Sequence, residues 1–365
     1  MFDRLQKLLD VGESRGAQLL TALPRSVQRA LSLQAPIRID GQELEPDLQL
    51  VLAVRKLLGS PALSAQSPPE ARGRYARDMR LHRGPPIDVG PVRELVVEGL
   101  RARHYAPLEP GLRPLLLYFH GGGFVVGDLD THDVPCRLLC REAGVHVLSV
   151  AYRLAPERPF PAAIDDARAA LRWAFAHARE LGASEQVAVA GDSAGANLTA
   201  VVSQLAVRDD EPAPCLQVLL YPPTDRSQPH RSLELFANGF LLTRADIDWY
   251  QAQNTGHIPD AARDPRVSPL LAKDLSGLPP AIIAVAGFDP LRDEGIAYAE
   301  ALARGGTPCE LLRFSGQVHG FVNLVGVAPS ARAAVVEVAQ RIRATLDAES
   351  RSAPPRPAAT ESPTG

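Results

Sequence analysis

Short apolar runs recur along the chain near residues 115–119, 146–151, 186–190, 216–221, 281–286 and 309–314, each bounded by turn-forming residues. Runs of this length, too short for helices and apolar on consecutive positions, predict strands buried on both faces. Glu94 to Val97 and Leu100 to Tyr105 add two opening edge strands. Helix-compatible stretches lie between most of them, as at Val134 to Ala143 and Ala163 to Leu181. Strands alternating with crossover helices predict an α/β fold: a mostly parallel eight-stranded sheet flanked by helices, with function on the loops at strand C-terminal ends.

Two regions depart from that alternation. Glu43 to Leu58 carries Leu48, Leu50, Val51, Leu52, Val54, Leu57 and Leu58 at helical spacing, with Pro46 at its start. Leu19 to Leu33 forms a second amphipathic stretch, interrupted at Pro24, and a Gly/Pro/Ser-rich segment, Gly59 to Gly90, separates both from the sheet. Between the sixth and seventh strands, Asp225 to Arg263 holds Phe236, Phe240, Leu241, Leu242, Trp249 and Tyr250, too much apolar material for a solvated loop. These helices are expected to pack with the N-terminal segment as a cap. Their aromatics then either line a pocket or join cap to core. The expected organisation is an N-terminal extension and cap helices over 1–90, a catalytic domain over 91–224 and 264–346, and a second cap segment over 225–263. Residues 347–365, rich in Pro, Ser and Ala, form a disordered tail.

The strand ends carry the candidate chemistry. Gly191-Asp192-Ser193-Ala194-Gly195 fits Gly-x-Ser-x-Gly between the strand at 186–190 and a helix from Ala196 to Val207. In that context the serine stands on a tight turn with its Oγ exposed, a candidate nucleophile. His120-Gly121-Gly122-Gly123-Phe124 directly follows another strand. Its glycines let backbone N–H groups converge on one point, and the amides of Gly122, Gly123 and Ala194 are the expected oxyanion donors. A phosphate cradle is the alternative for such a loop, but it calls for Lys-Ser/Thr where Phe124-Val125 stands. His319 follows the strand at 309–314 and is the candidate base. Asp289 is the first acid after the strand at 281–286, with Asp293 as the alternative and Glu294 as a structural or pocket-lining residue. The chain order Ser193, Asp289, His319 is the α/β-hydrolase order of nucleophile, acid and base.

Together with Asp289-Pro290-Leu291, His319-Gly320-Phe321, Tyr152-Arg153-Leu154-Ala155-Pro156-Glu157 and Phe160-Pro161-Ala162-Ala163, these motifs resemble the hormone-sensitive-lipase-like family of bacterial carboxylesterases. The likeness spans roughly residues 40 to 345 in motif order. It implies a serine carboxylesterase on the α/β-hydrolase fold, acting through an acyl-enzyme intermediate on small or short-to-medium acyl esters near C4 to C8. It further implies a mobile cap and no cofactor or metal. Ser193, Asp289 and His319 take the triad roles, Gly122, Gly123 and Ala194 the oxyanion hole, and His120, Gly121 and Asp192 support it. Residues 1 to 38 are longer than the family's usual start. An amidase, lactonase or acyltransferase on the same fold is the alternative, and a non-catalytic binding protein a more distant one.

Composition narrows the partners. With 45% hydrophobic and 22% charged residues and a net charge of −3, the chain offers no electrostatic case for nucleic acid or anionic membrane. Asp3, Asp10 and Glu13 interrupt any signal-peptide core, and no run approaches the roughly 20 apolar residues that span a bilayer. Cys136 and Cys140, four apart on an expected helix, lack a further ligand cluster for a metal, and Cys215 and Cys309 open separate strands. Buried free thiols in a cytoplasmic protein are the expectation. The partners are then a small-molecule ester and water. A monomer and a homodimer through an edge strand at 309–314 both remain open.

Overall fold

The computed structural model describes residues 16–352 apart from 17, 60 and 61, and the eight expected strands share one sheet. A short antiparallel ribbon precedes it, β1 (Arg38–Ile39) with β2 (Gln42–Glu43). The sheet strands are β3 (Val92–Val97), β4 (Leu100–Tyr105), β5 (Arg113–Phe119), β6 (His146–Val150), β7 (Ala183–Asp192), β8 (Gln217–Leu220), β9 (Ala281–Phe288) and β10 (Cys309–Val318). Their spatial order is β10-β9-β8-β7-β5-β6-β4-β3, which puts β10 at an edge. Pairing is antiparallel for β3 with β4 and β4 with β6, and parallel through the rest of the sheet.

The helices, in chain order, are α1 (Arg25–Leu31), α2 (Pro46–Leu57), α3 (Pro68–His82), α4 (Asp133–Ala143), α5 (Ala162–His177), α6 (Ala194–Arg208), α7 (Arg231–Leu235), α8 (Arg244–Asn254), α9 (Arg292–Arg304) and α10 (Pro329–Ser352). Successive residues of β5 point to opposite faces. Leu116 and Tyr118 pack with Leu138 and Leu139 of α4 and Val338 and Ile342 of α10. Leu115 and Leu117 pack with Ile164 and Leu171 of α5 and Leu198 and Val202 of α6. Cover on both faces is what a parallel sheet requires, and it explains why β6 and β9 are buried along their whole length.

The strand order decides where a site can form. From β5 the chain moves to β6 on one side, then crosses back so that β7 pairs on the other. Crevices in open α/β sheets lie beyond the strand ends at such a switch point. Here the strand ends are Phe119 and Asp192, followed at once by the glycine loop and by Ser193.

The segment from Gly59 to Gly90 holds more order than its Gly, Pro and Ser content predicts. Pro68 and Pro69 occupy the first two positions of α3, where their missing N–H groups are harmless, and Ser67 with Glu70 forms a capping box. Ala71 is its one buried residue, so no apolar stripe announces the helix. At the other end, α10 continues to Ser352, past the expected tail start at 347; residues 353–365 lie outside the described residues.

The N-terminal elements are fastened to distant parts of the chain. Asp47 of α2 accepts hydrogen bonds from Ser330 N–H and Oγ–H, both at 2.8 Å, and Thr21 Oγ donates to the Val327 carbonyl. Arg72 of α3 donates to the carbonyls of Val125 and Ala155 at 2.8 Å and pairs with Glu157. Asp246 of α8 accepts the Ser64 N–H at 3.1 Å, which joins the two segments read as a cap. Their aromatics divide between the two expected roles. Phe236 is buried against Phe240 and Phe288, while Phe240 and Tyr250 line a cavity above the strand ends.

Candidate active site

Ser193 sits between β7 and α6 at φ 52° and ψ −118°, a backbone conformation that non-glycine residues rarely adopt. Its N–H donates to the Leu220 carbonyl at 2.9 Å, and its carbonyl accepts the Asn197 N–H at 3.0 Å, so sheet and helix hold the turn together. The flanking glycines answer a steric demand. A Cβ on Gly191 would run into the backbone of Gly195, and one on Gly195 into the Phe119 carbonyl. Only hydrogen at those positions allows the turn to sit against the end of β5.

His319 lies between two of the candidates. Its Nε2 is 2.9 Å from Ser193 Oγ, and its Nδ1 is 2.8 Å from Asp289 Oδ2. The second Asp289 oxygen accepts the Leu291 N–H at 2.8 Å, so the fully buried carboxylate is held at both ends. Tyr221 packs against the imidazole with ring centroids 4.6 Å apart. The alternative acid, Asp293, is engaged elsewhere: it pairs with Arg292 and accepts the Ser232 N–H, both at 2.8 Å. Glu294 is buried, accepts the Asp225 N–H at 3.3 Å through Oε2, and leaves Oε1 without a partner; burial pushes its carboxyl up to about 8.

The glycine loop faces Ser193. Among the described residues no acceptor takes the N–H groups of Gly122, Gly123 or Ala194, whereas the Gly121 N–H donates to Asp192 Oδ1 at 2.9 Å. Asp192 also accepts from Tyr118 Oη at 2.7 Å and faces His132 Nε2 at 3.4 Å. Burial acts to raise its pKa, yet the attraction of His132 and these hydrogen bonds together hold it below the ordinary range. His120 stacks on Tyr152 at 4.3 Å, and Tyr152 Oη donates to the His120 carbonyl at 2.7 Å. Burial, reinforced by neighbouring His132, pushes the His120 imidazole down to about 4, so near neutral pH it is uncharged.

All nine expected site residues therefore meet at one end of the sheet. Sequence reasoning passed over Tyr118, His132 and Tyr221 as site residues and met Tyr152 only inside a family motif, without a role; all four surround Asp192 and the loop. The one available signal was a tyrosine hydroxyl inside an otherwise apolar strand, at Tyr118. Over the site opens a cavity of about 680 Å³ that reaches Ser193 and His319, with the Tyr250 ring lying against Gly123. Among the described residues, no group of three or more His, Cys, Asp or Glu could hold a metal ion, and no helix is long and apolar enough to cross a membrane.

A family model described as alpha/beta hydrolase fold matches residues 116–323. Carboxylic ester hydrolase LipN of Mycobacterium tuberculosis is 48% identical over 343 residues, covering 91% of each chain. The chain belongs to the hormone-sensitive-lipase-like family of α/β-hydrolases. Ethyl acetate hydrolase of Pseudomonas putida is 38% identical over 320 residues, which cover 83% of this chain and 99% of that one. Among solved structures, the ester-hydrolase EH1AB1 from the metagenome of Lake Arreo superposes with a TM-score of 0.78 at 36% identity, over 85% of this chain and all of that one.

Proposed function

We propose that this family member is a serine carboxylesterase for small or short-to-medium acyl esters, with Ser193, His319 and Asp289 as its triad. Ser193 Oγ attacks the ester carbonyl while His319 Nε2 takes its proton. Asp289 holds the Nδ1–H tautomer and balances the imidazolium that forms. The carbonyl oxygen becomes an oxyanion facing the N–H groups of Gly122, Gly123 and Ala194, each worth roughly 3 kcal/mol of transition-state stabilisation. The intermediate collapses, the alcohol leaves with the proton from His319, and Ser193 remains acylated. Water, deprotonated by His319, then attacks the acyl carbon, releasing the acid and restoring the serine.

The observation that supports this most directly is the hydrogen-bonded chain of 2.9 Å and 2.8 Å from Ser193 through His319 to Asp289. The names of its relatives agree with it. In the same reading, α2 and α3 are cap helices that pack with the second cap segment, 225–263, and Tyr250 is part of the cap's inner wall. Four free thiols, Cys136, Cys140, Cys215 and Cys309, favour the reducing cytoplasm as its compartment. The test is hydrolysis of p-nitrophenyl esters from acetate to palmitate beside Ser193→Ala. Turnover peaking near C4 to C8 and lost in the variant is expected; no turnover of any ester by folded protein would overturn the assignment.

A further inference from the structure

The cavity above Ser193 is lined by four cationic side chains, and they are not equivalent. Arg55 faces Asp78 at 3.4 Å, and Arg266 is held by Asp264 at 2.7 Å. Lys56 is exposed to solvent. Arg226 alone is half-buried and makes no ion pair among the described residues. Its backbone is fixed, since its N–H donates to Ser268 Oγ at 2.8 Å. It follows the end of β8 on a loop tied to the catalytic turn: the Pro223 carbonyl accepts from Asn197 Nδ2, and Asn197 lies one helical turn beyond Ser193.

Neither the adjacent carboxyl of Asp225 nor the buried one of Glu294 forms an ion pair with it among the described residues. Asp225 accepts from Ser227 N–H and Oγ–H at 2.9 and 2.6 Å, from Gln228 Nε2 at 3.0 Å, and faces His230 Nε2 at 3.1 Å. Glu294 feels the charge of Arg226, but burial keeps it protonated near neutral pH. A guanidinium cannot shed its proton. Its planar set of donors therefore has no carboxylate partner among the described residues, and a carboxylate satisfies such a set with two parallel hydrogen bonds.

We propose that Arg226 is a specificity residue that binds an anionic group of the substrate, so that the preferred esters carry a free carboxylate beside the ester linkage. This rests on the esterase reading above. Half-esters of dicarboxylic acids place the carboxylate on the acyl side, and acetoxy acids place it on the leaving side. A cavity of about 680 Å³ has room for either.

The experiment compares kcat/KM for monomethyl and dimethyl esters of succinate, glutarate and adipate, and for 4-acetoxybenzoate against phenyl acetate. The readout is the ratio of charged to neutral substrate, which does not depend on the fraction of enzyme that is folded. In Arg226→Met that ratio is expected to fall at least tenfold in one of the two series, and less in Arg226→Lys, which keeps the charge. The series that responds identifies the side on which the carboxylate sits. An unchanged ratio in both series for Arg226→Met overturns the proposal. Calorimetric titration of monomethyl adipate and 4-acetoxybenzoate into Ser193→Ala, with and without Arg226→Met, reads binding without chemistry. A tenfold weakening of either ligand supports the site even where no ester is turned over, an outcome that would sink the esterase reading instead. Equal affinity for both ligands removes Arg226 from recognition.

Discussion

Asp192 and Gly121 are joined by one hydrogen bond, 2.9 Å from amide to carboxylate, that ties the residue before the nucleophile to the loop facing it. Buried Asp192, accepting from Gly121 and Tyr118, fastens the residue before Gly122 and Gly123 to the residue before Ser193. In Asp192→Asn the charge is lost and one oxygen becomes an NH2, a donor where an acceptor stood. Losing a charged acceptor in a buried site costs roughly 1–3 kcal/mol. The expected outcome is kcat lowered ten- to a hundredfold with KM changed less, together with a lower Tm. Wild-type kcat and Tm in the variant would show that the carboxylate positions nothing.

The two candidate acids are separable by substitution. Ser193→Ala and His319→Ala are each expected to lower kcat by three or more orders of magnitude with the fold intact. Asp289→Asn should lower it by at least two orders, because the amide favours the wrong imidazole tautomer. Asp293→Asn should stay within a few-fold of wild type, since that carboxylate is engaged by Arg292 and Ser232. Circular dichroism beside steady-state kinetics makes the comparison. Loss of activity in Asp293→Asn with Asp289→Asn spared would reverse the assignment.

Gly123 and Tyr250 make contact between the loop and α8. Gly123 has φ +59°, and a Cβ there would overlap the Tyr250 ring. Gly123→Ala is expected to lower kcat/KM at least tenfold. In the double variant with Tyr250→Ala part of that loss should return, because the obstructing ring is gone. Strict additivity of the two changes in a double-mutant cycle would mean that the ring is not the obstacle.

Glu294 predicts a stability profile. Its native pKa, pushed up to about 8 from 4.5 by burial, lies above its unfolded value. Both states are protonated in acid. As pH rises past 4.5 the unfolded chain releases its proton while the native state keeps it, so this contribution is full below about 4.5 and lost progressively up to about 8. Glu294→Gln cannot titrate. Between pH 5 and 8.5 the Tm of wild type is expected to fall by several degrees more than that of the variant. Parallel Tm curves would count against a protonated Glu294.

The sheet and the three residues that meet as Ser193, His319 and Asp289 were legible because each strand and each strand-end motif leaves its mark in a few adjacent residues. Buried parallel strands leave unbroken apolar runs, and the Gly-x-Ser-x-Gly pattern sits on five consecutive residues, with Gly191 forced by Gly195 in the same turn and Gly195 by the end of β5. Other features had no local trace. The helix over Pro68–His82 is polar nearly throughout and opens on two prolines that read as breakers until their place in its first turn is known. Tyr118 and His132 reach Asp192 across more than fifty residues of chain, a proximity created by strand order alone. Arg226 likewise looks like an ordinary loop arginine until the partners of Asp225 and the burial of Glu294 are known.

The bonds from Asp47 to Ser330 span 283 residues of sequence. At the usual pace of synthesis that separation corresponds to roughly 15–60 s between the emergence of α2 and that of its anchor. The helix α2, which lines the cavity, thus leaves the ribosome long before the residue that seats it. Throughout that interval Leu48, which in the finished protein shares an apolar cluster with Val335 and Val338 of α10, has no α10 to pack against. Truncation or delayed synthesis at the C-terminus would leave its mark at the opposite end of the chain, as a sheet without its roof.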